Sequence, residues 1–228
     1  MHIKGFIFDF DGLILDTETA EYQSWKELFN THHLDLPFTD WSLAIGTSNK
    51  VFDVYACFEK QIGKTNHLDQ IYRRREERYH KLVGSLSPFP GILDLLIEAH
   101  SIGIKVALAS SSTQDWVVPH LERLGMLPFF DSIHTQEEVE EVKPCPDLYL
   151  HAVKALGMQA KEAVAFEDSP NGIRAAKDAG VYCVAIPNPI TSVLDLGQAD
   201  IILPSLKNMT VSKINGMLEK IPVVTELP

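Results

Sequence analysis

The 228-residue sequence predicts a doubly wound α/β fold, with a mainly parallel sheet core and a small inserted α-helical cap. Three features carry this prediction. Short apolar runs recur along the chain, continuous rather than alternating, as in strands of a parallel sheet covered on both faces. Amphipathic stretches fall between most of them, which is the rhythm of βαβ units. One long stretch, from about Thr17 to Ser87, has no strand-like run of similar quality.

The elements follow in order. Lys4–Phe10 is the first apolar run and ends in Asp9-Phe10-Asp11-Gly12. Thr19–Asn30, Asn49–Gln61 and His67–Leu82 have helical character. The last of these holds Arg73, Arg74, Arg75, Glu76, Glu77 and Arg78, and such a charge run reads first as a solvated helix face. Ser85–Gly91, with Pro88 and Pro90, reads as a hinge. Residues 1–16 and 88–228 are therefore expected to form the α/β core, and residues 17–87 the helical cap domain. Gly91–His100 places Ile92, Leu95, Leu96 and Ala99 at helical spacing, with Gly103 as a stop. Lys105–Ser110 is the second strand. Asp147–Leu156 is a helix closed by Gly157, and Ala163–Phe166 a further strand. Ser169-Pro170 opens the next helix as N-cap and first-turn proline, and Gly180 ends it. Tyr182–Ile186, an edge strand at Asp200–Pro204, a terminal helix at Thr210–Lys220 and a loose tail complete the chain.

Composition limits the function classes. The net charge is −11, from 20 Lys+Arg against 31 Asp+Glu. This balance opposes broad nucleic-acid binding, which needs cationic side chains to displace counterions. It leaves room for a local positive pocket that takes an anionic ligand. Cys57, Cys145 and Cys183 are far apart and form no CxxC pair, so neither a zinc ribbon nor a disulfide framework is expected. The amino-terminal residues have no signal-peptide pattern, and no run approaches the ~20 apolar residues of a membrane helix. The expectation is a soluble cytoplasmic protein, monomeric by default, with no nucleic-acid or membrane partner.

Motif searches exclude more. No two of the 13 glycines stand two residues apart, which removes the dinucleotide fingerprint. No Walker A loop, HExxH or GxSxG is present. Asp9, Asp11, Gly12 and Glu18 match later positions of a calcium-binding EF-hand loop. Ile7 would then stand at the first ligand position, after a strand-like run instead of a helix, and the match is rejected.

The informative residues are polar ones at strand ends: Asp9 and Asp11, then Ser110-Ser111-Ser112, then Glu167-Asp168. In an open parallel sheet, ligands bind outside the carboxyl ends of the strands, so these groups should converge. Acids gathered there repel one another, and hard oxygen ligands favour Mg²⁺ as the remedy. Lys143 lies in Val142-Lys143-Pro144-Cys145-Pro146, where two prolines stiffen the loop and aim the ammonium.

These segments together resemble the haloacid dehalogenase superfamily of phosphohydrolases. Phe8-Asp9-Phe10-Asp11-Gly12-Leu13-Ile14-Leu15-Asp16-Thr17-Glu18 is similar to that family's first motif. Leu108-Ala109-Ser110-Ser111 is similar to the second, Lys143-Pro144 to the third, and Phe166-Glu167-Asp168-Ser169-Pro170-Asn171-Gly172 to the fourth. The order and spacing fit, and the resemblance covers essentially the whole chain. The subgroup it resembles is the β-phosphoglucomutase-like phosphatases. The resemblance implies a Rossmann-like core and phosphoryl transfer through an aspartyl-phosphate. It implies Asp9 as nucleophile and Asp11 as general acid/base. Mg²⁺ would be held by Asp9, Asp168, Glu167 and the Asp11 backbone carbonyl, while Ser110 and Lys143 meet the phosphoryl group. The dehalogenase branch lacks the second aspartate, so Asp11 favours phosphoryl transfer. Ser111, Ser112 and Asn171 are divided between site and helix-cap roles. Asp16 and Thr17 are hinge or cap anchors.

In the cap, inward candidates for substrate binding are Glu21, Gly46, Thr47, Asn49 and Arg75, with Trp25 contested between site and cap core. β-Phosphoglucomutases have a cap histidine where this chain aligns Glu21, and a cap arginine where Asn49 follows Gly46-Thr47-Ser48. A mutase must hold a bisphosphate in two orientations, so these departures favour a phosphatase of a small phosphorylated metabolite, with sugar phosphates the first class to consider. The alternatives are a β-phosphoglucomutase-type mutase on the same site and, outside the enzymes, a non-catalytic regulatory or binding protein on this fold.

Overall fold

A computed structural model describes residues 3–41 and 52–221 of the chain. Its strands are β1 (Gly5–Phe8), β2 (Lys105–Ala109), β3 (Ser132–His134), β4 (Ala163–Glu167), β5 (Tyr182–Ala185) and β6 (Ile201–Ile202). They form a parallel sheet in the order β3-β2-β1-β4-β5-β6. The helices are α1 (Thr17–Thr31), α2 (Phe38–Trp41), α3 (Val54–Ile62), α4 (Leu68–Gly84), α5 (Ile92–Ser101), α6 (Gln114–Arg123), α7 (Asp147–Leu156), α8 (Pro170–Asp178) and α9 (Val211–Leu218).

Side chains alternate across a strand, and here the two faces differ in size. Phe6, Phe8, Val106, Leu108, Val164, Phe166 and Val184 face α5, α6 and α9. Phe8 stacks on Phe166 with ring centroids 4.6 Å apart. The opposite face is built largely of small residues, Ala107, Ala109, Ala165, Cys183 and Ala185, against α7 and α8. With both faces covered the sheet is doubly wound, and its strands read as unbroken apolar runs.

Helix boundaries have local causes. Asp16 caps α1 by accepting from Thr19 N at 3.1 Å. Ser169 caps α8 by accepting from Gly172 N at 3.1 Å, with Pro170 in the first turn. Such a cap is worth about 1 kcal/mol. Gly91 precedes α5 at φ 92°, close against the Leu206 carbonyl, where a Cβ would collide.

Three elements lie outside the sequence expectation. β3 pairs through only three residues, too few to show a period. α2 is a single turn. α6 encloses Pro119 and the β-branched Val117 and Val118, a composition that argues against a helix. It forms because Thr113 caps it and Val117 and Leu121 bury fully against the sheet. Leu150 of α7 is 43% exposed, away from the buried side of that helix.

Helices α1 to α4 stand between β1 and α5 and gather around Trp25, Phe29, Leu36, Trp41 and Phe58. Trp25 is fully buried in that cluster. The chain enters these helices through residues 11–16 and leaves through residues 85–91. The two crossings are tied where Phe89 N donates to Ile14 O at 3.0 Å. Arg123 of α6 donates to Leu86 O at 3.0 Å and to Val83 O at 3.3 Å, holding the second crossing to the sheet. Among the described residues, no helix is long and apolar enough to cross a membrane.

Candidate active site

The strand order creates the site. From β1 the chain steps outward through β2 to β3, then begins again at β4 on the other side of β1. Loops diverge at such a switch point and leave a crevice at the carboxyl edge. Register sets what lines it. Phe8 pairs with Leu108 and with Phe166, so Asp9, Ala109 and Glu167 follow at one level.

Asp9 is buried, with its backbone N–H donating to Phe166 O at 3.0 Å. Lys143 forms an ion pair with Asp9 Oδ1 and donates to Glu167 Oε1 at 2.6 Å. Tyr149 of α7 donates its hydroxyl to the same Glu167 oxygen at 2.6 Å. Glu167 Oε2 accepts from Asp168 N at 3.2 Å and from Ser169 Oγ at 3.3 Å. Gly172 lies against this carboxylate, where a Cβ would overlap it. Glu167, fully buried, thus anchors the ammonium beside Asp9.

Asp168 is also buried and accepts from Asn188 Nδ2 at 2.7 Å. The same amide reaches Gly12 O at 3.1 Å, and Asn188 Oδ1 accepts from Ile190 N and Thr191 N at 2.8 and 2.9 Å. Gly12, at φ 80°, gives the close approach: a Cβ there would overlap Asp168. Asp11 sits at the mouth, accepting from Ser112 Oγ at 2.6 Å and Trp116 Nε1 at 2.9 Å. Ser110 is buried and accepts from Ser112 N at 3.0 Å.

The electrostatics are strained in one direction. Burial pushes the Asp9 carboxyl up to about 8; Lys143 pulls against this and the Glu167 charge adds to it. Burial and then the charges of Asp9, Glu167 and Glu18 hold Asp168 well above the usual carboxylate range. Burial alone would lower Lys143, yet Asp9 and Glu167 outweigh it and hold the ammonium above its ordinary value. Four carboxylates, those of Asp9, Asp11, Glu167 and Asp168, thus face one ammonium.

A hard divalent cation fits this donor set. Asp9, Glu167 and Asp168 each offer a carboxylate oxygen, and these oxygens lie within 4.8 Å of one another. The donors are all oxygen, the preference of Mg²⁺. Burial first and the neighbouring charges second raise these carboxyls, and a divalent ion offsets both.

Above these groups lies a cleft of about 760 Å³ between the strand ends and the inserted helices. Ser110, Ser111 and Asn171 line its floor; Glu18 and Glu21 of α1 and Arg75 of α4 line its roof. Burial pushes Glu18 up to about 7, helped by the charges of Asp11, Glu21 and Asp16. Arg75 is the buried member of the arginine run, while Arg73 and Arg74 are exposed as a solvated face predicts. It forms an ion pair with Glu21 and lies over the rings of Trp25 and Tyr79, at 4.6 and 5.2 Å. Its Nε is buried without a hydrogen-bond partner among the described residues. Tyr79 stacks on Trp116 across the cleft, with centroids 5.5 Å apart and planes at 11°.

Every expected site residue within the described residues lies at this cleft or against its floor. Gly46, Thr47 and Asn49 lie outside the described residues. Sequence reasoning missed Asn188, Tyr149 and Trp116. Asn188 was within reach, because Pro187-Asn188-Pro189 follows the β5 end and obeys the strand-end rule. Tyr149 and Trp116 lie on helices, amid apolar residues that mask their polar tips.

Comparison with known proteins bears on the whole chain. A family model described as haloacid dehalogenase-like hydrolase matches residues 6–186. The protein YhcW of Bacillus subtilis (strain 168) is 44% identical over 210 residues, covering 92% of this chain and 95% of its own. Hexitol phosphatase A of Escherichia coli (strain K12) is 29% identical over 217 residues, covering 93% and 96%. The crystal structure of CbbY from Rhodobacter sphaeroides in complex with phosphate superposes with a TM-score of 0.68 at 28% identity, covering 93% of this chain and 99% of that one.

Proposed function

Because this chain belongs to the haloacid dehalogenase-like hydrolases, we propose that it is a Mg²⁺-dependent phosphatase of a small phosphorylated metabolite, first of all a sugar phosphate. The observation that carries the reading is the buried Asp9–Lys143–Glu167–Asp168 group at the switch point, with Asp11 two residues beyond the nucleophile. The sugar-phosphate class is supported by similarity to hexitol phosphatase A, and phosphate as ligand by the CbbY complex. The three free cysteines fit a cytoplasmic setting.

In this reading Asp9 attacks phosphorus in line and forms an aspartyl-phosphate. Asp11 protonates the leaving oxygen, then takes a proton from the water that hydrolyses the intermediate. Ser112 and Trp116, which both donate to Asp11, keep its carboxylate at the mouth of the site until substrate arrives. Lys143, fixed by Glu167, balances charge on the phosphoryl oxygens, and the Ser110 hydroxyl donates to one of them. Asp9, Asp168 and Glu167, with the Asp11 carbonyl, would hold Mg²⁺, which when bound screens the repulsion between phosphate and nucleophile. Helices α1 to α4 act as a cap that excludes water. Within that cap, Arg75 and Glu21, with Ser111 and Asn171 on the floor, contribute polar contacts to the substrate.

The test is phosphate release from a panel of sugar and other metabolite phosphates with Mg²⁺. One well contains β-glucose 1-phosphate with a trace of the bisphosphate, and glucose 6-phosphate is read separately. Free phosphate without isomerised sugar is expected. Glucose 6-phosphate without net phosphate release would make the protein a mutase and overturn the reading of the cap.

A further inference from the structure

A second group of metal-binding side chains lies away from the cleft, where β3 meets α7. His134 ends β3, Glu138 ends the short 3₁₀ turn that follows, and His151 stands on α7. One ligand atom from each lies within 4.8 Å of the others. His134 Nδ1 is 2.8 Å from Glu138 Oε2, and the His151 ring presents its Nδ1 to the same oxygen at 3.8 Å. The second distance is too long for a hydrogen bond. The imidazole therefore faces the carboxylate across a gap without closing on it.

The surroundings have the other attributes of a metal site. His134 Nε2 is 3.1 Å from Ser132 Oγ. Glu138 can only accept, so Nδ1 carries the proton in the metal-free ring; a cation there takes the other tautomer, in which Nε2 donates to Ser132 Oγ, the kind of partner that orients a ligating histidine. His134 is buried, whereas the side chains of Glu138 and His151 are 41% and 42% exposed. One ligand is thus rigid and two are open to solvent, which provides an entry path. The mixture of two imidazoles and one carboxylate suits a borderline ion such as Zn²⁺ rather than Mg²⁺, which prefers oxygen.

We propose that His134, Glu138 and His151 form a transition-metal site that takes Zn²⁺ and staples the end of β3 to α7. The loop between these elements includes Lys143, so the ion ties down both ends of the segment that supplies the catalytic ammonium. The site is independent of the phosphatase reading, and its test uses no turnover.

Tag-free protein, held in saturating Mg²⁺ to fill the acidic cluster, is mixed with Zn²⁺ and passed through a desalting column. Bound zinc is counted by elemental analysis, and thermal unfolding is followed with and without the ion. One equivalent per chain is expected, with a rise in Tm of roughly 5–10 °C at about a hundredfold excess over the dissociation constant. His151→Ala and Glu138→Gln alter half-exposed positions, and each should lose the equivalent and the rise while keeping the metal-free Tm. Asp168→Asn should keep both. No zinc above the His151→Ala level, zinc without a Tm rise, or loss of zinc only in Asp168→Asn would overturn the proposal.

Discussion

Asp9 and Asn188 show how much of the site rests on single side chains. Asp9 is held among groups of both signs, so exchanging it for the neutral isostere removes a charge that burial disfavours. Asp9→Asn should lower kcat on the order of 10⁴-fold or more, because a nucleophile has no substitute. Its Tm should be equal to or above that of the parent, read by calorimetry; unfolding together with loss of activity would recast Asp9 as structural. Asn188 acts through Asp168. Its amide holds the carboxylate at 2.7 Å while its carbonyl is fixed by two backbone N–H groups. Asn188→Ala should raise the Mg²⁺ concentration for half-maximal activity roughly 10–100-fold, with far less change in kcat at saturating ion. Asp9 was legible because carboxylates at a strand end have few structural uses. Asn188 was not read, because an Asn between prolines is equally at home in an ordinary turn.

At the scale of the element, the first turn of α1 stores a pH dependence. Glu18 stands at a helix N-terminus, which favours a negative charge, yet burial and three neighbouring carboxylates win and push it from 4.5 up to about 7. A carboxyl raised in the folded state binds its proton more tightly there than in the unfolded chain. Its contribution is therefore fully present below pH 4.5 and is lost as pH rises through about 7. Glu18→Gln should match the parent in denaturant unfolding near pH 4.5 and exceed it by up to about 3 kcal/mol above pH 7. Equal stability at both values would mean that water reaches Glu18 in solution. α6 carries the other argument at this scale. Trp116→Phe keeps the stack on Tyr79 but removes the donor to Asp11, and should lower kcat roughly tenfold with little change in KM. The central strands and the long helices were legible because their periodicity and caps are local. β3 and α6 were not, since β3 is fixed by pairing with β2 and α6 by burial of Val117 and Leu121.

Over the whole molecule, the sheet order brings together carboxylates that are about 160 residues apart in sequence. The convergence of Asp9 with Glu167 and Asp168 was readable, because any parallel sheet places ligand groups at its carboxyl edge. Which arginine α4 turns to the cleft is readable only through the family resemblance, which names Arg75, because four arginines within six residues leave the helix phase open. Packing chose Arg75 by seating it over Trp25 and Tyr79. The same global arrangement sets the response to metal. Four carboxylates against Lys143 leave an excess of acidic groups at the floor of the cleft, where burial first and the Glu167 charge second raise Asp9 to about 8. A divalent ion and protons therefore compete for the same oxygens. Treatment with EDTA should abolish phosphate release and Mg²⁺ should restore it. The ion's apparent affinity should rise with pH up to about 8, as the proton leaves Asp9. Titration of the Mg²⁺-induced Tm rise at pH 6 and pH 8 checks this without substrate. A larger rise at pH 8 is expected. Equal rises, or undiminished activity in chelator, would mean that Lys143 alone neutralises the site.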